Sequence, residues 1–228
     1  YLPNPKAPAE GLPVGFTVAG TGARQMVGMT CSACHTRQIE VKGTAYRIDG
    51  GPAIVDFQAF LADLDRAVGP LTSDDAAFDA FAKQILGANP PPGARDALLA
   101  AVKEWYEPYH TLIERALPKD TWGPARLDAV SMIFNRLTGL DIGTAPPYLI
   151  PDNIKAADAP VRYPFLWNAA RQNKTQWPGF AANGNDLLGL ARNVGEVYGV
   201  FATFHPQKSK FHLLGMDYLK INSANFHG

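Results

Sequence analysis

The chain is short of cysteine, of long apolar runs and of any excess of charge. No uninterrupted apolar stretch approaches the roughly 20 residues that a membrane-crossing helix needs, so no membrane span is expected. Lysine plus arginine equals aspartate plus glutamate, at 21 each, without a long run of either. Nucleic-acid binding is therefore not expected, because phosphate recognition needs a concentrated basic surface. Repeats and low-complexity tracts are also lacking. What is there is 46% apolar and 18% charged, an ordinary globular composition in a chain long enough to bury a sizeable core.

Both cysteines of the chain fall in one pattern, Cys31-Ser32-Ala33-Cys34-His35. Two cysteines allow a disulfide, a redox dithiol, half a zinc site or haem attachment. Zinc would need two more ligands nearby, and none stands at the usual spacing. A thioredoxin-type dithiol would want a strand–helix context, which Val27, Gly28 and Thr30 do not signal. Haem attachment uses all five positions, with two thiols for the vinyl groups and an adjacent imidazole for the iron. The pattern therefore points to one covalent haem c, bound through Cys31 and Cys34, with His35 as the iron ligand. Such a cofactor places the chain outside the cytoplasm, periplasmic or secreted. The start at Tyr1 rather than Met fits a mature product without its export signal, an artificial boundary being the alternative.

Residues 1–22 are rich in proline and glycine and read as an irregular arm. A helix is expected from Ala23 to Cys34, followed by one short β-hairpin, Gln38–Val41 with Thr44–Ile48 around Lys42-Gly43. Apolar periodicity predicts helices over Ala53–Val68 (Phe57, Leu61, Leu64, Val68) and Ser73–Leu86 (Phe78, Phe81, Ile85, with Ser73 as N-cap). It predicts two more over Ala94–Leu117 (Leu98, Leu99, Val102, Trp105) and Pro124–Leu140 (Leu127, Val130, Phe134, Leu137). Pro108 should kink or split the third. Residues 139–163 form a long proline-rich loop, and a last helix is expected over Asp186–Phe204. The expectation is a mainly α, single-domain chain over 1–228.

The sixth iron ligand decides whether such a haem carries electrons or reacts with small oxidants. Met26 and Met29 share the expected attachment helix, and Met132 sits among apolar helical residues, so all three read as packing residues. His110, in the run Trp105, Tyr106, Tyr109, reads as a partly buried structural histidine. His205, His212 and Met216 remain as ligand candidates without a decisive signal. An open iron is the reading this leaves.

Three further stretches carry a resemblance. They are Met-Thr-Cys-x-x-Cys-His-Thr at 29–36, Arg-Ile-Asp-Gly-Gly-Pro at 47–52, and Tyr163–Ala170 continuing through Gln176-Trp177 to Arg-Asn-Val-Gly-Glu-Val at 192–197. Together they resemble the N-terminal haem domain of the bacterial di-haem cytochrome c peroxidase superfamily, in its divergent, rubber-oxygenase-like branch, over most of residues 12–205. Pro164 and Asn168 match a Pro-x-x-x-Asn element, Trp177 the following tryptophan, and Asn193–Glu196 an Asn-Pro-x-Glu element with glycine for proline. The resemblance implies a cytochrome c-like haem domain with long irregular loops. It implies Glu196 as a distal carboxylate shuttling protons, Trp177 as electron route or pocket wall, and Arg192 and Arg47 as propionate or pocket contacts. The plain alternatives are a solvated helix residue for Glu196, a core aromatic for Trp177 and a surface ion pair for Arg47.

The superfamily carries two Cys-x-x-Cys-His motifs, whereas this chain has one and lacks a counterpart of the distal-loop histidine. Either a second haem sits in a partner domain or polypeptide, or the chain works with one haem. The expected function is a c-type haem oxidoreductase unit that binds peroxide or dioxygen and receives electrons from that partner or another redox protein. The alternatives are a non-catalytic electron-transfer cytochrome c and a docking subunit whose haem only stabilises the fold.

Overall fold

Short strands, not a helix, lead into the cysteine motif. In the computed structural model of the protein, β1 (Phe16–Ala19) pairs antiparallel with β2 (Met26–Met29), in the register Phe16↔Met29 to Ala19↔Met26. The structure describes residues 1–7, 11–21, 25–144, 146–175, 179, 181–200, 207–208 and 216–217. The helix expected over 23–34 is therefore corrected. Val27 prefers an extended backbone and Gly28 costs a helix about 1 kcal/mol, while Phe16-Thr-Val offers a β-favouring partner strand. The premise that Met26 and Met29 lie on a helix falls with it, and Met26 is exposed.

A 3₁₀ turn at Cys31–Ala33 follows, then β3 (Thr36–Val41) and β4 (Thr44–Asp49). These pair from Thr36↔Asp49 to Val41↔Thr44, leaving Lys42-Gly43 as a two-residue turn with φ of 51° and 78°. Positive φ at both turn positions matches the strand twist, and this hairpin stands where it was expected. The expectation of a single hairpin does not hold. Among the described residues there are three further two-stranded pairings: β5 (Arg126–Leu127) with β6 (Val161–Arg162), β7 (Lys174–Thr175) with β8 (Ala181–Ala182), and β9 (Gln207–Lys208) with β10 (Met216–Asp217). Two-residue pairings carry too little periodicity to be read from a sequence.

The chain divides into two compact units. The first comprises residues 1–56, 124–129 and 160–228 and holds all five strand pairs. Its buried cluster is Ala53, Val55, Ala125 and Tyr163, with Cys34 and Leu127 packed against it.

The second unit comprises residues 57–123 and 130–159. It contains α1 (Phe57–Val68), α2 (Asp75–Leu86), α3 (Ala94–Ala116) and nearly all of α4 (Ala129–Leu140). The mainly α expectation holds at this coarse level. The first helix starts at Phe57, because Ala53 and Val55 are drawn into the core of the other unit's segment. Asp74, not Ser73, caps α2 by accepting from the Ala76 and Ala77 amides. Phe78 is buried, but Ile85 is 59% exposed, and Ala82 takes the inner face instead. Pro108 does not split α3, which runs unbroken from Ala94 to Ala116.

The fourth helix starts at Ala129, not Pro124, and turns its polar side inward. Val130 and Phe134 are exposed, whereas Asn135 and Arg136 are buried. Asn135 grips Lys155 through both its backbone groups, at 2.7 and 3.0 Å, and Arg136 donates to Asp141 at 2.7 Å. These bonds hold Lys155 and Asp141 to α4, and the expected loop at 139–163 includes a 3₁₀ turn at Pro151–Asn153 and β6.

Candidate functional site

The site is built on the first unit, around the turn that carries the cysteines. The His35 amide donates to the Cys31 carbonyl at 2.9 Å and the Cys34 amide does so at 3.2 Å, closing one helical turn. Neither cysteine is in a disulfide, and Cys31 is exposed. Cys34 packs against the Ala53–Tyr163 cluster. Burial there, with a smaller contribution from Cys31, pushes its thiol up to about 11.

The turn is held from behind by Gly15, which no motif singled out. Its φ of +86° suits glycine, and a Cβ there would overlap the Ala33 nitrogen and Cα and lie 2.7 Å from the Ser32 carbonyl carbon. Thr30 donates to the Gly15 carbonyl through its amide at 2.7 Å and its hydroxyl at 3.1 Å. A cleft of about 240 Å³ opens beside the turn, bounded by Tyr1, Leu2, Val14, Ser32, Thr36 and Val55 among others.

His35 is oriented from a distant stretch of sequence. Its Nδ1 lies 2.8 Å from the Pro164 carbonyl, which can only accept, so Nδ1 carries the proton and Nε2 keeps its lone pair. A hydrogen bond from the second nitrogen to a carbonyl is the usual support of a metal-binding histidine. The Leu166 amide donates to the Gly50 carbonyl at 2.7 Å, and a Cβ on Gly50, whose φ is +76°, would stand 2.8 Å from the Trp167 nitrogen. The Arg-Ile-Asp-Gly-Gly-Pro stretch thus serves as the seat for residues 164–167. Tyr163 is buried, donates to the Val55 carbonyl at 3.2 Å and has its ring 6.3 Å from that of His35. Burial lowers the His35 pKa from its usual value, against the opposing effects of the Pro164 bond and the negative charge of Glu196. A neutral imidazole is the form that binds a metal.

Glu196 is thereby within electrostatic reach of His35, although it is exposed on α5 (Asp186–Val200). Asn185 caps this helix through its side chain, accepting from the Leu188 amide at 2.9 Å. Arg192 donates to Asn183 at 3.2 Å, and Asn183, buried, donates in turn to the carbonyls of Ala169 and Gln172. Arg192 therefore ties α5 to the loop that continues from Trp167. Arg47 donates to the Pro3 carbonyl at 2.9 Å and so pins the N-terminal arm. Trp177, His205 and His212 lie outside the described residues, and of Met216 only its place in β10 is described.

No family model matches the chain. No solved structure matches it either. It is similar to "Uncharacterized protein y4iJ" of Sinorhizobium fredii (strain NBRC 101917 / NGR234), with 31% identity over 227 residues, covering 90% of this chain and 36% of that protein. The chain thus spans about a third of the length of that curated relative.

The residues present fit a covalently attached haem. Two unpaired thiols and an imidazole with its Nε2 lone pair free of the Pro164 bond share one turn. Among the described residues no group of three or more His, Cys, Asp or Glu could hold a metal ion. Apolar surface lies close by in the chain: Phe165 and Trp167 stack at 4.5 Å while 54% and 45% exposed. Leu187, Leu190 and Val194, spaced along one side of α5, are exposed as well.

Proposed function

We propose that the chain is a c-type haem oxidoreductase unit, a cytochrome c-like domain akin to the N-terminal haem domain of the di-haem peroxidase superfamily. The observation that carries the reading is the His35 Nδ1–Pro164 hydrogen bond of 2.8 Å, made by the histidine that ends the Cys-x-x-Cys-His turn. It joins two stretches 129 residues apart in the sequence, both of which belong to the resemblance. Cys31 and Cys34 hold the haem by thioethers and His35 binds its iron, which when bound supplies one-electron chemistry and a binding position for peroxide or dioxygen.

The chain's own residues supply the rest. Pro164 fixes the tautomer and the ring plane of His35. Glu196 is the proton carrier, with a carboxylate whose charge already acts on His35. Phe165, Trp167 and the apolar side of α5 cover the porphyrin and keep water from it. Arg47 and Arg192 are the cations available to its propionates, and Trp177 is the electron route. The partners are a second haem-bearing domain or polypeptide, or another redox protein, outside the cytoplasm.

The test is to export the full chain with haem-attachment machinery and record its mass and its ferric and ferrous spectra, before and after peroxide or oxygen. One haem per chain and a high-spin ferric iron that reacts with peroxide, or a ferrous iron that reacts with dioxygen, are expected. A six-coordinate, low-spin iron inert to both would mark an electron carrier instead. No covalent haem would end both readings.

A further inference from the structure

We propose that Gly15 is the positioning residue of the cysteine turn, holding Cys31 and Cys34 in the shape that haem attachment requires. The proposal rests on the haem reading for its purpose, but its geometry stands apart from it. Gly15 precedes β1 and lies across the hairpin from Thr30, one step beyond the Phe16↔Met29 pair. Its carbonyl takes both donors of Thr30, at 2.7 and 3.1 Å, and so fixes the residue before Cys31. Its bare Cα faces the Ser32–Ala33 backbone, where a Cβ would stand 2.7 Å from the Ser32 carbonyl carbon.

Gly11 and Gly28 do not carry the same steric demand. Gly11 also has a positive φ, +81°, yet a Cβ there meets nothing within 4 Å. In β2, a Cβ on Gly28 would meet only the Thr17 hydroxyl oxygen, at an ordinary 3.6 Å. Of these three, Gly15 alone would press a side chain against the cysteine turn. Attachment depends on that turn, because both thiols must reach one porphyrin while His35 faces its iron. Each thiol adds across a vinyl group, forming a carbon–sulfur bond and leaving its hydrogen on the adjacent carbon, so no oxidant is consumed. Misplacing such groups by about 1 Å can slow a reaction about a hundredfold.

The experiment compares the wild-type full chain with Gly15→Ala, Gly11→Ala and Gly28→Ala. Gly11→Ala reports the cost of a positive φ alone, and Gly28→Ala that of an added methyl in the same hairpin. Two quantities are read: the fraction of chains with haem attached at both cysteines, by mass, and the alkylation rate of Cys34 in the haem-free polypeptide. Gly11→Ala and Gly28→Ala are expected to stay within about twofold of wild type in both. Gly15→Ala should lose at least tenfold in doubly attached haem and gain at least tenfold in Cys34 alkylation, as the turn lifts from the Ala53–Tyr163 cluster. Thr30→Val, which keeps the amide bond and removes the hydroxyl one, should move both in the same direction by a few-fold; it serves if Gly15→Ala does not accumulate. Equal behaviour of Gly15→Ala and Gly28→Ala, or an equal loss in Gly11→Ala, would overturn the proposal. Should wild type attach no haem, the function proposed above fails, while the Cys34 rates still decide whether Gly15 holds the turn.

Discussion

At the scale of single residues, the chemistry is governed by what each titratable group packs against. Cys34 lies against buried apolar side chains and its thiol is raised to about 11, so at pH 9 thiolate is on the order of fiftyfold scarcer than at a group with the ordinary value of 9.0. Because the folded value is the higher, its contribution to stability is present below pH 9 and lost as pH rises towards 11. In the haem-free polypeptide, iodoacetamide at pH 9 should therefore modify Cys34 at least tenfold more slowly than in urea, as followed by peptide mass; equal rates would contradict the packing. Glu196 makes the second prediction at this scale. On the proposed reading, Glu196→Gln removes the proton carrier without changing shape, and the rate with peroxide should then fall by about 10²- to 10⁴-fold, with the resting spectrum unchanged. A change in the resting spectrum with an unaltered rate would point to a structural role. The cysteines and His35 were legible because two cysteines three apart followed directly by a histidine make a compact pattern at fixed spacing. Gly15 was not, since a close backbone approach leaves no mark beyond a glycine before a strand.

At the scale of elements, helices were legible where one apolar side faces one neighbour, as in α1 and α2. They were misread where polar side chains do the holding. Val130 and Phe134 suggested an inner face for α4, yet Asn135 and Arg136 are the buried ones, because the 141–155 segment presents backbone groups and Asp141 to them. Burial pulls the Arg136 pKa down against the attraction of Asp141, the expected conflict in a buried ion pair. Removing one partner leaves the other charge stranded, so Arg136→Leu should cost about 3–5 kcal/mol in urea unfolding, and adding Asp141→Leu should recover most of it. A single variant costing under about 1 kcal/mol would show the pair to be solvated. Pro108 gives the opposite case. It sits inside an unbroken α3 although it removes a backbone donor, so Pro108→Ala should raise stability by about 1–3 kcal/mol, read from the same unfolding curves.

At the scale of the whole molecule, the two units differ in what holds them together. The unit of residues 57–123 and 130–159 rests on long helices, with Phe78 and Ile113 buried and Asn135 and Arg136 bonded inside. The unit carrying the cysteines has strand pairs of two to six residues and, among the described residues, a core cluster of Ala53, Val55, Ala125 and Tyr163, three of them small. Pairings that short are marginal without a further apolar mass to pack on. Several large apolar side chains of that unit lie at its surface, Phe165, Trp167, Leu187 and Leu190 among them. On the proposed reading the haem supplies the missing mass, and its covalent bonds keep it in place. Limited proteolysis of the chain before attachment should then cut within residues 1–56 and 160–228 first and leave a helical fragment near 57–159. After attachment the same sites should be protected at least tenfold, because binding only the folded state lowers the population open to cleavage. Cleavage that is indifferent to the haem would mean that this unit folds on its strands and small core alone.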